Sequence, residues 1–147
     1  MYYQPYFDQE GFEYRQNRQL LKQISKAMND EFQAVQYYTR LAELAPNKQT
    51  RQAILGIRQD EIKHFHWFAK GYLDLSGKYP PLTLGVALPS SFKRGVRDSL
   101  KDEQETVPFY RNLASQITDQ QFKERILKAA DDEHQHAQIF SQLATTF

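Results

Sequence analysis

Apolar side chains recur along this chain in steps of three and four, the spacing that gathers them on one face of an α-helix. Between about residues 15 and 45 they fall at Leu20, Ile24, Ala27, Val35, Tyr38, Ala42 and Ala45, and between 48 and 76 at Ile54, Ile57, Phe68, Tyr72 and Leu75. The same rhythm returns at Val96, Leu100, Val107, Tyr110, Ala114 and Ile117, then at Phe122, Ile126, Ala129, Phe140 and Leu143. It predicts four helices, over about 15–45, 48–76, 93–117 and 120–145. Pro46-Asn47 ends the first and Gly77 the second. Thr118-x-x-Gln121 reads as a capping box for the fourth, and Pro108 predicts a kink in the third.

Each stripe is interrupted by polar residues standing in apolar slots: Glu31 in the first helix, Glu61 and His64 in the second, Glu103 in the third, Glu133 and His136 in the fourth. A buried charge is costly unless it is paired or bound to a metal. Glu105, His66 and His134 fall off the inner faces and are left out of the candidate site. The interrupting residues also repeat. Asp60-Glu61-x-x-His64 and Asp132-Glu133-x-x-His136 each follow a lone Glu by 30 residues, and an offset of 72 carries Asp30 onto Asp102, Tyr38 onto Tyr110 and Asp60 onto Asp132. The midpoint of Glu31 and Glu61 is residue 46, and that of Glu103 and Glu133 is 118, so two antiparallel hairpins would bring each pair of acids level. Residues 77–92, with three prolines, can extend about 50 Å, enough to cross over along a bundle. The fold class expected is therefore all-α, a four-helix bundle with a long crossover between helices 2 and 3.

With 147 residues, 40% hydrophobic and 14% aromatic, the chain suffices for one domain with a real core. Residues 1–14 read as an irregular arm bearing six aromatics, packed on its own core or on a neighbouring subunit in a homodimer, and 15–147 as the bundle. Its 19 basic and 18 acidic residues are interspersed and leave a net charge of +1, so neither a nucleic acid nor a polybasic membrane contact is expected. No apolar run approaches a membrane span and no leader pattern opens the chain, so the expected location is cytoplasmic. The absence of cysteine excludes disulfides, iron–sulfur clusters and thiolate zinc sites.

Any metal must then bind through oxygen and imidazole. Four carboxylates at one level of a bundle repel one another, and two divalent ions supply the charge that neutralises them. The donor set suits iron or manganese. Asp60 and Asp132 are placed to accept the outer ring N–H of a ligand histidine, and Tyr38 and Tyr110 to donate to a ligand carboxylate of another helix. The ligand set is symmetric: each metal would receive one imidazole and one E-x-x-H carboxylate, with Glu31 and Glu103 left to bridge, making the two halves near equivalent.

A lone Glu followed by E-x-x-H, given twice, resembles the ferritin-like di-iron and di-manganese carboxylate proteins over roughly residues 18–145. Bacterioferritin is similar in placing Asp before each E-x-x-H and Tyr seven residues after each lone Glu. The resemblance implies a ferritin-like bundle, metal ligands Glu31, Glu61, His64, Glu103, Glu133 and His136, and two Fe ions, with Mn as the alternative. It also implies an oxidoreductase that reacts with O2 or peroxide, with Fe(II) oxidation as minimal activity, and an external electron donor of unknown identity. Ile62 stands where bacterioferritin carries its haem-ligating Met, so no haem is expected. Thr106 replaces the extra Glu of rubrerythrin, and too few residues follow Glu133 for the fifth helix of cage-forming ferritins. The alternative is a non-catalytic metal-binding or structural assembly protein built on the same bundle.

Overall fold

The computed structural model describes residues 9–147, with side chains from Arg15 onward. Among them are four helices and no strand: α1 (Gln9–Glu43), α2 (Lys48–Ser76), α3 (Phe92–Ser115) and α4 (Gln120–Thr146). Helix α1 begins six residues before the start that the apolar stripe predicts, so residues 9–14 are helical and not part of an irregular arm. Gly11 costs a helix about 1 kcal/mol relative to Ala but leaves its hydrogen bonding intact, and the stripe that set the expected start reports packing, not helix length. The remainder of the expected arm, residues 1–8, lies outside the described residues.

The helix ends follow local chemistry. Asn47 caps α2, its side chain accepting from Thr50 N–H at 2.8 Å. Gly77 ends that helix with φ 73°, a left-handed conformation that glycine adopts without steric cost, and its N–H donates to Leu73 O at 2.8 Å. Ser91 caps α3, which is continuous through Pro108. The capping box expected at Thr118 and Gln121 does not form. Asp119 is the cap of α4 instead, accepting from Gln121 N–H at 3.2 Å, because it lies one residue nearer the first helical turn and is the stronger capping residue.

Short connections make α1–α2 and α3–α4 antiparallel hairpins, which pack on each other through α1–α3 and α2–α4. The core divides into two clusters. One gathers Ile24, Met28, Phe68, Leu113 and Ile126; the other gathers Leu41, Ile54, Ile57, Val96 and Phe140. In every helix one cluster draws on residues before the polar interruption and the other on residues after it. The acids and histidines therefore lie in a layer between two apolar plugs. The same partition makes α1 and α3 antiparallel. Gly71 permits the close approach of α2 to α4, since a Cβ there would meet the Phe122 ring at 2.1–2.6 Å.

The segment between α2 and α3 lies against α1, with Asn29 donating to Pro81 O at 3.1 Å and accepting from Thr83 N–H at 2.6 Å. Farther along, Pro89 stands beside Gly95, which also faces Leu41 and Tyr37 of α1. No helix among the described residues is long and apolar enough to cross a membrane.

Candidate metal centre

All four helices deliver a side chain to the polar layer, and the six residues singled out by the sequence meet there. Glu31, Glu61, Glu103, Glu133, His64 and His136 are each no more than 2% exposed. They form two overlapping groups, Glu31-Glu61-His64-Glu133 and Glu61-Glu103-Glu133-His136, within each of which one donor atom per residue lies within 4.8 Å of all the others. His66 and His134 are exposed and join neither group.

Distances within the groups order the residues. His64 Nδ1 is 3.0 Å from Glu133 Oε1 but 3.7 Å from Glu61 Oε1 of its own helix and 3.7 Å from Glu31 Oε2. His136 Nδ1 is 3.2 Å from Glu61 Oε1, 3.5 Å from Glu103 Oε1 and 3.8 Å from Glu133 Oε1 of its own helix. Each imidazole thus approaches the opposite motif's Glu most closely. Glu61 and Glu133 lie between the two rings and belong to both groups, while Glu31 and Glu103 stand at the outer ends. This reverses the expectation that Glu31 and Glu103 would be the shared pair. Helical phase places Glu and His of one motif on one face, but the crossing of α2 and α4 decides which acid lies centrally.

The donor atoms fit a metal by what they lack. Glu31 Oε2, Glu61 Oε1, His64 Nδ1, Glu103 Oε2, Glu133 Oε1 and His136 Nδ1 are all buried without a hydrogen-bond partner among the protein groups. Buried polar atoms are rarely left so, and here all six residues of the layer contribute one. Metal–ligand bonds of about 2.0–2.2 Å put neighbouring ligand atoms about 3.0–3.5 Å apart, the range in which the closest imidazole–carboxylate pairs already stand.

The outward atoms, by contrast, are held. His64 Nε2 lies 2.8 Å from Asp132 Oδ2, and His136 Nε2 lies 2.8 Å from Asp60 Oδ2. A carboxylate can only accept, so each ring donates from Nε2 and turns Nδ1 inward. Each Asp serves the histidine of the other motif. Tyr38 donates to Glu103 Oε1 at 2.6 Å, and Tyr110 donates to Glu31 Oε1. Phe140 packs on Tyr38 and Phe68 on Tyr110, with ring centroids 5.4 and 4.9 Å apart. Phe68 and Phe140 are themselves 72 residues apart, a signal in the repeat that sequence reasoning passed over.

The repeat does not extend to everything around the ring. Lys128 Nζ is 2.6 Å from Asp132 Oδ1, and Lys63 Nζ stands 3.8 Å from Asp132 Oδ2 and 3.9 Å from Asp60 Oδ1. The residue 72 positions before Lys128 is Gly56, so Asp60 has no counterpart of that ion pair. Trp67 covers His64, ring centroids 5.6 Å apart, where the second half carries Ile139. Lys128 was legible as an i, i+4 partner of Asp132; Trp67 had no signal in spacing.

Electrostatics follow from this packing. Burial raises the Glu61 and Glu133 carboxyls well above the ordinary carboxylate range, and the neighbouring acids push the same way. Burial also opposes charge on Glu103, but the close approach of Glu133 and His136 and the hydrogen bond from Tyr38 outweigh it and hold that carboxyl low. Burial disfavours charge on the imidazoles too, yet Asp132 and Glu31 hold His64 up at about 9, and Glu103 and Glu61 hold His136 up at about 11. Asp132 is held low by His64 and Lys128 against its own burial.

A cavity of about 410 Å³ opens between α1 and α3 and reaches Glu31, Glu61, Glu103 and Glu133. Its wall includes Asp30, Asp102, Glu105, Lys26 and Phe109.

No protein-family model matches the chain. It is 39% identical over 127 residues to the uncharacterized protein YhjR of Bacillus subtilis (strain 168), covering 86% of this chain and 88% of that protein. The chain belongs to the YhjR family. Among solved structures, this YhjR relative is similar to a hypothetical protein from Pyrococcus furiosus, at a TM-score of 0.76 and 19% identity over 86% of this chain and 88% of that one. It is also similar to a ferritin-like, diiron-carboxylate protein from Bacillus anthracis str. Ames, at a TM-score of 0.72 and 19% identity over 87% and 96% of the two chains. The fold of this YhjR-family chain is ferritin-like.

Proposed function

We propose that this chain is a non-haem two-metal carboxylate protein, an oxidoreductase that uses two iron ions to react with O2 or peroxide, with Fe(II) oxidation as its minimal activity. The observation that supports this reading is the set of six buried, unpartnered donor atoms directed into one layer. The Bacillus anthracis protein of the same fold is a diiron-carboxylate protein, which favours iron; manganese suits the same donors.

In this reading Glu31 and His64 would hold one ion and Glu103 and His136 the other, with Glu61 and Glu133 within reach of both. Bound there, the iron pair supplies the electrons for reduction of O2 or peroxide. The protein's own part is positional. Asp132 and Asp60 keep the imidazole protons on Nε2, and Tyr38 and Tyr110 fix one oxygen of each outer carboxylate so that the other faces inward. Phe68 and Phe140 pack against those tyrosines and close the layer to water from both ends. No side chain is needed as nucleophile. Sustained turnover requires an external electron donor.

Metal analysis of protein purified without chelator, then anaerobic loading with Fe(II) and addition of O2, tests the reading. The expected result is two metals per chain and a ferric absorption band that forms rapidly and reforms when Fe(II) is supplied again. Stoichiometric binding without turnover would support the non-catalytic metal-binding or assembly alternative. Failure to bind either Fe(II) or Mn(II) would remove the metal reading altogether.

A further inference from the structure

The two sides of the polar layer differ in charge. On the α2–α4 side, Lys63 and Lys128 stand over Asp60 and Asp132, and both Lys63 and Arg125 lie against the face of Trp67, at 5.2 and 5.8 Å from the ring centroid. On the α1–α3 side, the cavity wall carries Asp30, Asp102 and Glu105 against one cation, Lys26. Lys26 pairs with Asp30, but both ends are solvent-exposed, at 62% and 45%, and such pairs hold their partners weakly. The same cavity reaches Glu31, Glu61, Glu103 and Glu133, each of which has one buried oxygen without a hydrogen-bond partner. A cation approaching from α2–α4 meets ammonium and guanidinium groups; one approaching from α1–α3 meets carboxylates and then the buried acids of the layer.

Resting on the reading of the layer as a metal centre, we propose that divalent cations reach it through the α1–α3 cavity, with Asp30 and Asp102 as relay carboxylates in its wall. The volume suits the task. An ion keeping six waters of about 30 Å³ each fits within about 410 Å³, so it can enter hydrated and exchange water for carboxylate oxygen in steps. Asp30 and Asp102 are related by the 72-residue offset and each immediately precedes an outer Glu of the layer. An ion held at either residue is one position along the same helix from its destination. The acidic wall also steers diffusional approach, and such steering weakens as salt rises.

The test is the rate of Co(II) loading into chelator-stripped protein, followed by its visible absorption in a stopped-flow instrument, with the final amount bound measured separately. At about 10 mM salt, where charges act over about 30 Å, Asp30→Asn/Asp102→Asn should load about tenfold more slowly than wild type, within the range steering supplies. It should still reach the same Co(II) per chain, and the difference should shrink as salt is added. Asp30→Glu/Asp102→Glu should load like wild type. Glu43→Gln/Asp74→Asn removes the same charge from exposed sites outside the cavity and should change the rate little. Thr106→Phe, which narrows the cavity without altering its charge, should slow loading at every ionic strength and decides the matter alone should the Asn variant not fold. Wild-type rates in both Asp30→Asn/Asp102→Asn and Thr106→Phe, or equal slowing in the Glu43/Asp74 control, would overturn the entry route while leaving the metal centre standing. Wild-type protein that binds no Co(II), Fe(II) or Mn(II) would overturn both.

Discussion

Stripping the metal should make this protein progressively less stable as pH rises from about 5 to 9, and adding metal should reverse the trend. Glu61 and Glu133 hold their protons more tightly folded than unfolded, because burial and neighbouring acids raise them well above the ordinary value. The stability such groups contribute is complete below the unfolded value of about 4.3 and is lost as pH climbs toward the folded one. The imidazoles act in the same sense. His64 and His136 rise from 6.5 to about 9 and about 11, so their contribution is complete below pH 6.5 and disappears as pH passes through those values. Glu103 and Asp132 are held low and act oppositely, but their contribution is complete once pH exceeds about 4, leaving no slope in this window. For His64 alone, at about 1.4 kcal/mol per tenfold in proton affinity, the loss by pH 9 is about 3 kcal/mol. That lowers the melting temperature of a chain this size by about 10 °C. Metal competes with those protons for Nδ1 and the carboxylate oxygens, so its benefit grows with pH, reaching about 4 kcal/mol at a thousandfold excess over its dissociation constant. Calorimetric melts at pH 5 to 9, with chelator and with anaerobic Fe(II) or Mn(II), measure both effects. A chelated protein that melts at one temperature across this range and ignores added metal would show that the acids are not gathered as described.

Other outcomes follow from the same geometry. His66→Gln and His134→Gln should keep the wild-type metal content by elemental analysis, whereas His64→Gln and His136→Gln should each lose one metal. Glu31→Ala and Glu103→Ala should weaken Mn(II) binding in titration calorimetry but leave the stripped protein no less stable at pH 7, because each removes one repelling charge. Phe140→Ala, at a fully buried position, should cost about 3–5 kcal/mol in urea unfolding. Asp132→Asn and Asp60→Asn should weaken binding at the His64 and His136 ends respectively, by about 10–100-fold; equal loss at both ends from either change would contradict the crossed pairing.

Much of this centre was legible because the sequence broke its own pattern. Glu31, Glu61, His64, Glu103, Glu133 and His136 could be picked out as polar residues in apolar slots, and helical phase alone separated His64 from His66 and His136 from His134. What phase cannot give is which helices adjoin across the bundle. For that reason the crossed Asp132–His64 and Asp60–His136 pairs, and the central place of Glu61 and Glu133, emerge only from the packing of α2 on α4. The start of α1 was misplaced because the stripe that marks packing begins after the helix does, and the cap of α4 because Thr118 matched a motif while Asp119 occupied the decisive position.

The 72-residue offset explains both what the two halves share and where they differ. The residues that form the inner ring and hydrogen-bond to it obey it, the four Glu, the two His, the two Asp and the two Tyr, as does the aromatic behind each Tyr. One layer farther out it lapses. Lys128 answers to Gly56 and Trp67 to Ile139, so the His64 end is capped by a buried, lysine-held Asp132 and an indole, and the His136 end by an Asp60 whose side chain is 39% exposed. A ring of matched acids and imidazoles is thereby set in surroundings of unequal polarity. The charge of the inner residues alone would make the two ends interchangeable, but the hydrogen-bonded carboxylate behind each imidazole tunes how basic that imidazole is. Asp132 shares its charge with Lys128 at 2.6 Å, whereas Asp60 meets its nearest ammonium at 3.9 Å and directs more of its charge to His136. The two imidazoles are therefore alike in their inward neighbours and unlike in basicity, with the more basic one at the end more open to solvent.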